Sequence, residues 1–261
     1  MTARSPRARA TTVLAYHAVG ACPRADDPHN LFVSEEAFAK QMKFLAAKRN
    51  VVPLSVAVDG PVATEKPPIA ITFDDGYRNV LTIAGPIMQR YGFPSTVFVP
   101  TAFIGDRPRW LADSPCDLSI MSREELDAAE ALGITIECHG HEHIDMSRVE
   151  ETVLLSDLER SAQVIEEVVG RRPGFLAYPF GRHSPLAHSV AERAGFRAAF
   201  TIDELHGGDL AYERTQITPL DGPVLFALKT TGRYLRLRRS KMVAMAYAAV
   251  RPLLRRDNRR S

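Results

Sequence analysis

Short apolar segments alternate along the chain with segments of helical periodicity. Seven segments are rich in apolar and β-branched residues and predict strands: 12–16, 69–73, 95–99, 134–137, 175–178, 198–202 and, more weakly, 216–218. Between them, apolar residues recur at a spacing of three or four, which predicts helices. Alternating strands and helices are typical of a parallel sheet or an α/β barrel.

Four of the predicted helices have a recognisable face or end. Residues 35–48 place Phe38, Met42 and Leu45 on one face. Ser122 and Glu125 have the spacing of a capping box and predict a helix start. The other start and stop signals are Gly133, Gly170, Ser184 followed by Pro185, and Gly195.

Polar clusters follow directly after four of the predicted strands. These clusters are His17, Asp74 with Asp75, the segment His139 to His143, and the segment Tyr178 to Gly181. In a barrel of parallel strands, the carboxyl ends meet at one rim, where catalytic groups lie. We therefore expect the four clusters to face one another.

The Asp74-Asp75-Gly76 cluster points to a cation. Two adjacent carboxylates repel each other at a strand end unless a cation or a shared proton compensates. One aspartate could bind a metal while the other accepts a proton from water. A solvated Asp-Asp-Gly turn is the alternative.

The segment His139-Gly140-His141-Glu142-His143 supplies ligands for such a cation. Histidines four positions apart share one face of a helical turn. The H-E-x-x-H signature of metalloproteases is absent, because Asp145 stands where its second histidine would be. Asp75, His139 and His143 together predict a catalytic zinc site with an open position for water.

Composition and charge narrow the class of protein. The 261 residues are 45% hydrophobic and 25% charged, as in a globular domain. The three cysteines are few and odd in number, so they do not predict a disulfide framework. The net charge of +2 divides into +3 for residues 1–10, −11 for residues 11–228 and +10 for residues 229–261. The acidic body argues against nucleic-acid binding.

The basic tail, residues 229–261, has two interpretations. It could form an amphipathic helix on an anionic membrane, or a terminal helix packed on the barrel with a disordered basic end. We find no apolar run long enough to cross a bilayer and no signal peptide. The expected location is therefore cytoplasmic, with peripheral contact at the inner face of the membrane as an option.

The motif set resembles a known family. Thr72-Phe73-Asp74-Asp75-Gly76, the histidine pair at 139 and 143, and Tyr178-Pro179-Phe180-Gly181 resemble the polysaccharide deacetylases of carbohydrate esterase family 4, the NodB homology domain. Segments 13–17 and 32–38 resemble the opening of its exopolysaccharide-associated branch. The resemblance covers residues 11–228 and implies a distorted (β/α)7 barrel, followed by the basic helical tail.

The resemblance also implies a role for each site residue. It makes Asp74 the general base and His17 the general acid. Zinc or a similar divalent ion is expected on Asp75, His139 and His143. The remaining implied roles are an oxyanion contact from the Phe180 N–H and a groove wall built from Tyr178, Pro179 and Gly181.

Four further positions complete the prediction. Tyr77 and Trp110 could stack on sugar rings or simply pack. Ala177 stands where many family members have an arginine that contacts the base, which leaves the partner of Asp74 unassigned. His206 is the second choice for the acid.

The function implied is a metal-dependent hydrolase that removes the N-acetyl group from a sugar. Its substrate is expected to be a polysaccharide or its lipid-linked or nucleotide-linked precursor. The alternatives are a hydrolase of a small amide or cyclic imide on the same barrel, and a non-catalytic glycan-binding protein.

Overall fold

The computed structural model describes residues 8–202 and 208–238 and contains a closed barrel of seven parallel strands. The barrel strands are β1 Thr12–Tyr16, β2 Pro68–Phe73, β3 Ser95–Val99, β4 Ile134–Cys138, β5 Phe175–Ala177, β6 Ala198–Ile202 and β7 Tyr212–Gln216. They pair in chain order, and β1 pairs with both β7 and β2, which closes the ring. The predicted (β/α)7 barrel is confirmed.

Helices surround the barrel on its outside. They are α1 Glu35–Lys48, α2 Leu54–Val58, α3 Gly85–Gln89, α4 Arg123–Ala131, α5 Glu151–Val169, α6 Pro185–Arg193, α7 Pro223–Lys229 and α8 Arg233–Arg238. A π-helical turn, Val80–Ala84, leads into α3, and four 3-10 turns cover Arg24–Asp26, Thr101–Phe103, Arg109–Leu111 and Pro179–Gly181. Two-residue strands occur at Ala8–Arg9, Ala18–Val19, Phe32–Val33, Asn50–Val51 and Val62–Ala63.

The helix ends lie at the capping residues and glycines that predicted them. Ser122 and Glu125 form both hydrogen bonds of the capping box at α4. Gly170 ends α5 with φ of 73°, a left-handed conformation that glycine adopts without strain. Ser184 accepts the Ala187 N–H at the start of α6. These signals are local, so the sequence alone predicted them.

The seventh strand differs from the prediction. It spans Tyr212–Gln216 rather than 216–218, because its central residue, Arg214, interrupts the apolar pattern. Arg214 is completely buried, and its guanidinium carbon lies 5.1 Å from the centre of the Phe98 ring. A search for apolar segments misses this strand, because its central residue is charged and is buried only through contacts with distant residues.

Two apolar cores hold the barrel together. A large core lies between the strands and the helices and includes Leu14, Ile136 and Leu158. A smaller core is formed mainly by alternate strand residues: Val13, Ala70, Phe98, Phe175, Ala177, Ala198 and Phe200, with Leu54 of α2. Because neighbouring strand residues point to opposite faces, this second set fills the barrel interior.

A disulfide joins Cys22 to Cys116 across 94 positions, contrary to the expectation from the cysteine count. Cys22 lies in the loop region after β1 and Cys116 in that after β3, and both loops lie at the carboxyl rim. Sequence spacing carries no information about that proximity. Cys138 is a buried free thiol that contacts the Ser161 hydroxyl, and burial raises its pKa to about 12.

The carboxyl-terminal part of the described chain packs on the barrel. Lys229, the last residue of α7, is buried, pairs with Asp221 at 2.7 Å and donates to the Gln216 carbonyl. The expected boundary between residues 228 and 229 thus falls at the end of this helix. Most of the basic tail, residues 239–261, lies outside the described residues. Within residues 8–202 and 208–238, no helix has the length and apolar content needed to cross a membrane.

Candidate active site

The backbone turns sharply between the two aspartates that follow β2. Asp75 and Gly76 have φ of 68° and 66°, so two consecutive residues are left-handed. A Cβ at Gly76 would lie 3.0 Å from a Val99 methyl carbon, so both the conformation and the space favour glycine. The turn sends the carboxylates of Asp74 and Asp75 towards different partners.

Asp74 is bound by Arg214. The guanidinium donates from Nη1 and Nη2 to the two carboxylate oxygens at 2.6 and 2.8 Å, and Nη1 also donates to the Thr72 hydroxyl. Burial opposes ionisation of Asp74, but the charge of Arg214 holds its pKa below the usual value. Asp74 is therefore an oriented, ionised carboxylate.

Sequence reasoning missed Arg214. The residue lies in the strand that the apolar pattern misplaced, and the family resemblance directed attention to position 177 instead. One signal in the sequence could have indicated it: with Ala177 in place of the family's arginine, Asp74 had no assigned cationic partner. Arg214 itself lies at the centre of β7, a strand whose polar residues the apolar pattern did not explain.

Asp75 meets the two expected histidines. Its Oδ1 lies 3.4 Å from His139 Nε2 and 3.2 Å from His143 Nε2, and one ligand atom from each residue lies within 4.8 Å of the others. All three residues are buried. Burial opposes ionisation of Asp75, but the two histidines that face its Oδ1 hold its pKa well below the usual value.

The ring of His139 has a fixed orientation. Its Nδ1 lies 2.8 Å from the Ala177 carbonyl oxygen, and a carbonyl can only accept, so Nδ1 carries the proton. This leaves Nε2 facing Asp75 with its lone pair available. Metal-binding histidines are commonly oriented in this way.

His143 is held between two aromatic rings. Trp110 stacks on it with centroids 3.7 Å apart, and Phe180 meets it edge to face at 4.6 Å. Both ring nitrogens are buried without a well-formed hydrogen bond. Leaving such atoms unpaired is costly, and a bound cation would remove the cost at Nε2. One carboxylate and two imidazoles suit zinc, so the residues present fit a divalent metal.

The histidine segment is a loop and not the expected helical turn. Gly140 and His143 have φ of 77° and 52°, and Asp157 accepts the N–H groups of His141 and Glu142, both at 2.8 Å. A Cβ on Gly140 would lie 2.9 Å from Asp157 Oδ2. The loop thus converges on Asp75 through two left-handed residues, which no helical spacing predicts.

A cavity of about 270 Å³ opens above these groups. It is lined by the six predicted catalytic and metal-binding residues, His17, Asp74, Asp75, His139, His143 and Phe180, together with His29, Leu31, Trp110, Leu111, Ile202 and Gln216. The structure therefore brings together all six residues. His206, the second choice for the acid, lies outside the described residues.

The expected substrate-binding wall is reduced to Phe180. Phe180 is 54% exposed and has φ of 59°, which directs its ring to the cavity. Tyr178, Pro179 and Gly181 are buried and do not line it. Tyr178, directly after β5, points away from the cavity and donates from its hydroxyl to the Leu210 carbonyl.

Tyr77 also does not line the cavity. Its ring is completely buried, so it cannot stack on a sugar. Burial and the nearby charge of Asp75 raise its pKa well above the usual value, and the hydroxyl stays protonated. Of the two aromatic residues predicted to stack on a sugar, Trp110 lines the cavity.

Comparisons with known proteins agree with this geometry. YxkH of Bacillus subtilis, whose name assigns it provisionally to the polysaccharide deacetylases, is 22% identical over 79% of this chain and 71% of its own length. The poly-β-1,6-N-acetyl-D-glucosamine N-deacetylase of Staphylococcus aureus is 24% identical over 67% of this chain, which matches 62% of that protein's length.

Solved structures show the same fold. The deacetylase PplD of Streptococcus pyogenes, in complex with acetate, superposes with a TM-score of 0.71 at 20% identity, covering 87% of this chain and 99% of that one. IcaB of Ammonifex degensii superposes with a TM-score of 0.70 at 23% identity, covering 85% and 98%. Residues 62–199, just over half of the sequence, match the pattern of the polysaccharide deacetylase family, and this chain belongs to that family.

Proposed function

We propose that the protein is a metal-dependent deacetylase that removes N-acetyl groups from the hexosamines of a polysaccharide. The observation that carries the proposal is the division of labour between Asp74 and Asp75. Arg214 holds Asp74 as an ionised carboxylate, while Asp75 faces two histidines of suitable orientation. A hydrolase needs both a proton acceptor and a place for an electrophilic ion.

Asp75, His139 and His143 would hold the ion, for which zinc is the expected identity. A divalent cation there would polarise the amide carbonyl and lower the pKa of a water molecule. Zinc-type ligand sets of three protein residues leave a position open for water or substrate. The buried nitrogens of His143 support this assignment.

Asp74 would take the proton from the attacking water. Its two oxygens are fixed by Arg214, so the base does not reorient during the reaction. Fixing a reacting group in this way lowers the entropic part of the activation barrier of the reaction. Arg214 acts through Asp74 and is a positioning residue.

His17 and Phe180 would complete the reaction from the other parts of the cavity wall. The backbone N–H of Phe180 would donate a hydrogen bond to the developing oxyanion. His17, half-buried at the end of β1, would give a proton to the departing amine. The products are acetate and a free amino sugar.

The two alternative functions are weaker. A non-catalytic glycan-binding protein has no need for Asp74, Asp75, His139 and His143 to converge, yet all four do. A hydrolase of small amides would have the same cluster of groups. Release of acetate from sugar oligomers distinguishes it from the proposed deacetylase.

The disulfide bears on the form of the substrate. A cytoplasmic location, which remains a prediction, would favour a lipid-linked or nucleotide-linked precursor. Disulfides persist in oxidising compartments and are rare in the cytosol, so Cys22–Cys116 favours action on finished polymer outside it. The name of the S. aureus relative makes β-1,6-linked N-acetylglucosamine the first polymer to test.

Contact with an anionic membrane is proposed for the carboxyl-terminal region. Leu220, before α7, and Val224 and Leu225, in its first turn, are apolar side chains that are 54%, 85% and 37% exposed. The tail, residues 229–261, carries a charge of +10. We expect binding to phosphatidylglycerol vesicles but not to phosphatidylcholine vesicles, weakened by Val224→Asp. Equal binding to both vesicles would contradict this contact.

Acetate release from N-acetylglucosamine oligomers tests the proposed function. We expect release that is lost after chelation, restored by zinc and largely absent in Asp74→Asn. Asp127→Asn, an exposed position on α4, is the matched control and should behave as wild type. If zinc-loaded wild type released no acetate from any oligomer, the proposal would be wrong.

A further inference from the structure

We propose that the Tyr77 hydroxyl positions the Asp75 carboxylate for the metal ion, which makes Tyr77 a positioning residue of the metal centre. The inference rests on the proposed function, because it adds a residue to the same site. Tyr77 does not line the catalytic cavity. Its hydroxyl would therefore act on the ion through Asp75 and not by contact with the substrate.

The Tyr77 hydroxyl is buried and has no hydrogen-bond partner in the described part of the chain. The ring of Tyr77 packs in the large apolar core. A buried hydroxyl without a partner lowers stability, because it loses its hydrogen bonds to water and gains none from the protein. Phenylalanine would fill the same space without this penalty. Folding alone therefore does not account for the hydroxyl.

Two polar groups face this hydroxyl: the Asp75 carboxylate and the Trp110 side chain. Neither forms a well-aligned hydrogen bond with it. A tyrosine hydroxyl can donate one hydrogen bond and also accept, so it can donate to a carboxylate while it accepts an indole N–H. It thus stands beside a predicted metal ligand and beside the ring that stacks on His143, a second predicted ligand.

The backbone of Tyr77 is fixed by the loop region that follows β3. Tyr77 pairs with Ile120 in an isolated bridge, and the Arg78 N–H donates to the Ser119 carbonyl at 2.8 Å. These bonds and the packed ring leave the hydroxyl little freedom to move. A hydroxyl that is held in this way can fix the direction of the carboxylate that it contacts.

Asp74 has an orienting partner, and Asp75 lacks a comparable one. Arg214 binds both oxygens of Asp74. Within residues 8–202 and 208–238, Asp75 forms ion pairs only with the two histidines that would bind the ion beside it. Carboxylates that bind metals are usually held by a further hydrogen bond, and loss of such a partner typically lowers metal affinity about 10-fold to 100-fold. Tyr77 is placed to supply that bond.

Tyr77→Phe tests the inference, because it removes the hydroxyl and keeps the ring. We expect this variant to bind zinc about tenfold more weakly than wild type, measured with a competing chelator. The unfolding temperature of the metal-free protein should stay the same or rise, because an unpaired buried hydroxyl is removed. Acetate release should fall at limiting zinc and return at saturating zinc.

Tyr16→Phe is the matched control. Tyr16 is also completely buried, but its hydroxyl donates to Gln41 Oε1 at 3.0 Å. The same substitution there leaves Gln41 without its partner, so we expect a lower unfolding temperature and the zinc affinity of wild type. The two variants lose the same atom, and opposite effects on stability and zinc affinity distinguish positioning from support of the fold.

The outcomes separate this inference from the proposed function. Wild-type zinc affinity in Tyr77→Phe would overturn the positioning role and leave the deacetylase standing. A loss of zinc affinity together with an unfolding temperature as low as that of Tyr16→Phe would also overturn it, because the hydroxyl would then support the fold. Wild type that binds no zinc would overturn both proposals, and wild type that binds zinc but releases no acetate would overturn the deacetylase alone.

Discussion

Arg214 and Asp74 lie 140 positions apart and form a buried, two-pronged ion pair inside the barrel, with N–O distances of 2.6 and 2.8 Å. The pair joins β7 to the end of β2 and gives the proposed base a fixed direction. It also accounts for Ala177, since a cation supplied from β7 makes an arginine at that position unnecessary.

Replacing Arg214 should disable the base without removing the metal. In Arg214→Met, Asp74 loses its partner in a buried site, which we expect to lower kcat roughly a hundredfold and the free energy of unfolding by about 3 kcal/mol. Zinc affinity should change little, and Arg214→Lys should recover part of kcat. Turnover and zinc binding are measured on the same preparations.

Arg197 is the control for this change. It pairs with Asp59 at 2.9 Å, but both side chains are about 60% exposed. We expect Arg197→Met to change the free energy of unfolding by less than about 0.5 kcal/mol and to leave kcat unaltered. A wild-type kcat in Arg214→Met would refute the positioning role.

Gly140→Ala should weaken metal binding by displacing the histidine loop. The added Cβ would lie 2.9 Å from both Asp157 Oδ2 and Met146 Cε, so Asp157 could no longer hold the loop in place. We expect a loss of zinc affinity of about 10-fold to 100-fold, measured with a competing chelator.

Gly133→Ala separates this effect from backbone strain. Gly133 has a similar φ of 82°, but its Cβ would meet nothing within 4 Å. Both substitutions should cost about 1 kcal/mol for the left-handed conformation, and only Gly140→Ala should lose zinc. Equal zinc affinities in the two variants would show that Asp157 does not fix the loop.

Reduction of Cys22–Cys116 should loosen both the fold and the two rim loops that the bond joins. Loss of a disulfide that closes a loop of this length lowers the free energy of unfolding by up to about 4 kcal/mol. We expect a reductant to lower the unfolding temperature and to reduce acetate release, because the rim loops border the proposed active site.

Cys138→Ala is the control for the reductant. Its only change is the removal of the buried free thiol, so the response to reductant should match that of wild type. Cys22→Ser should instead behave as reduced wild type and respond no further. A Cys22→Ser protein with wild-type stability would contradict the structural role of the bond.

Local signals predicted much of the fold. The capping box at Ser122 and the glycine stop at Gly170 depend only on neighbouring residues, and six barrel strands have apolar patterns of their own. The polar clusters after the strands indicated the groups of the site, and the family resemblance then implied a role for each. The structure brings together six of those residues around one cavity, including His17 and Phe180.

The features that sequence could not predict depend on distant contacts. Arg214 is acceptable in a strand only because Asp74 lies opposite, and Cys22 meets Cys116 only because two rim loops meet. Tyr178 and Tyr77 belong to matching motifs, yet the direction of each side chain buries it. Neither periodicity nor motif spacing contains these directions.

The central claim is that the adjacent carboxylates have separate tasks, and zinc content together with acetate release in Asp74→Asn and Asp75→Asn tests it most directly. We predict that Asp74→Asn binds about one zinc per chain and releases almost no acetate, whereas Asp75→Asn loses zinc and activity together. Loss of zinc from Asp74→Asn, or acetate release by it at the wild-type rate, would contradict the account.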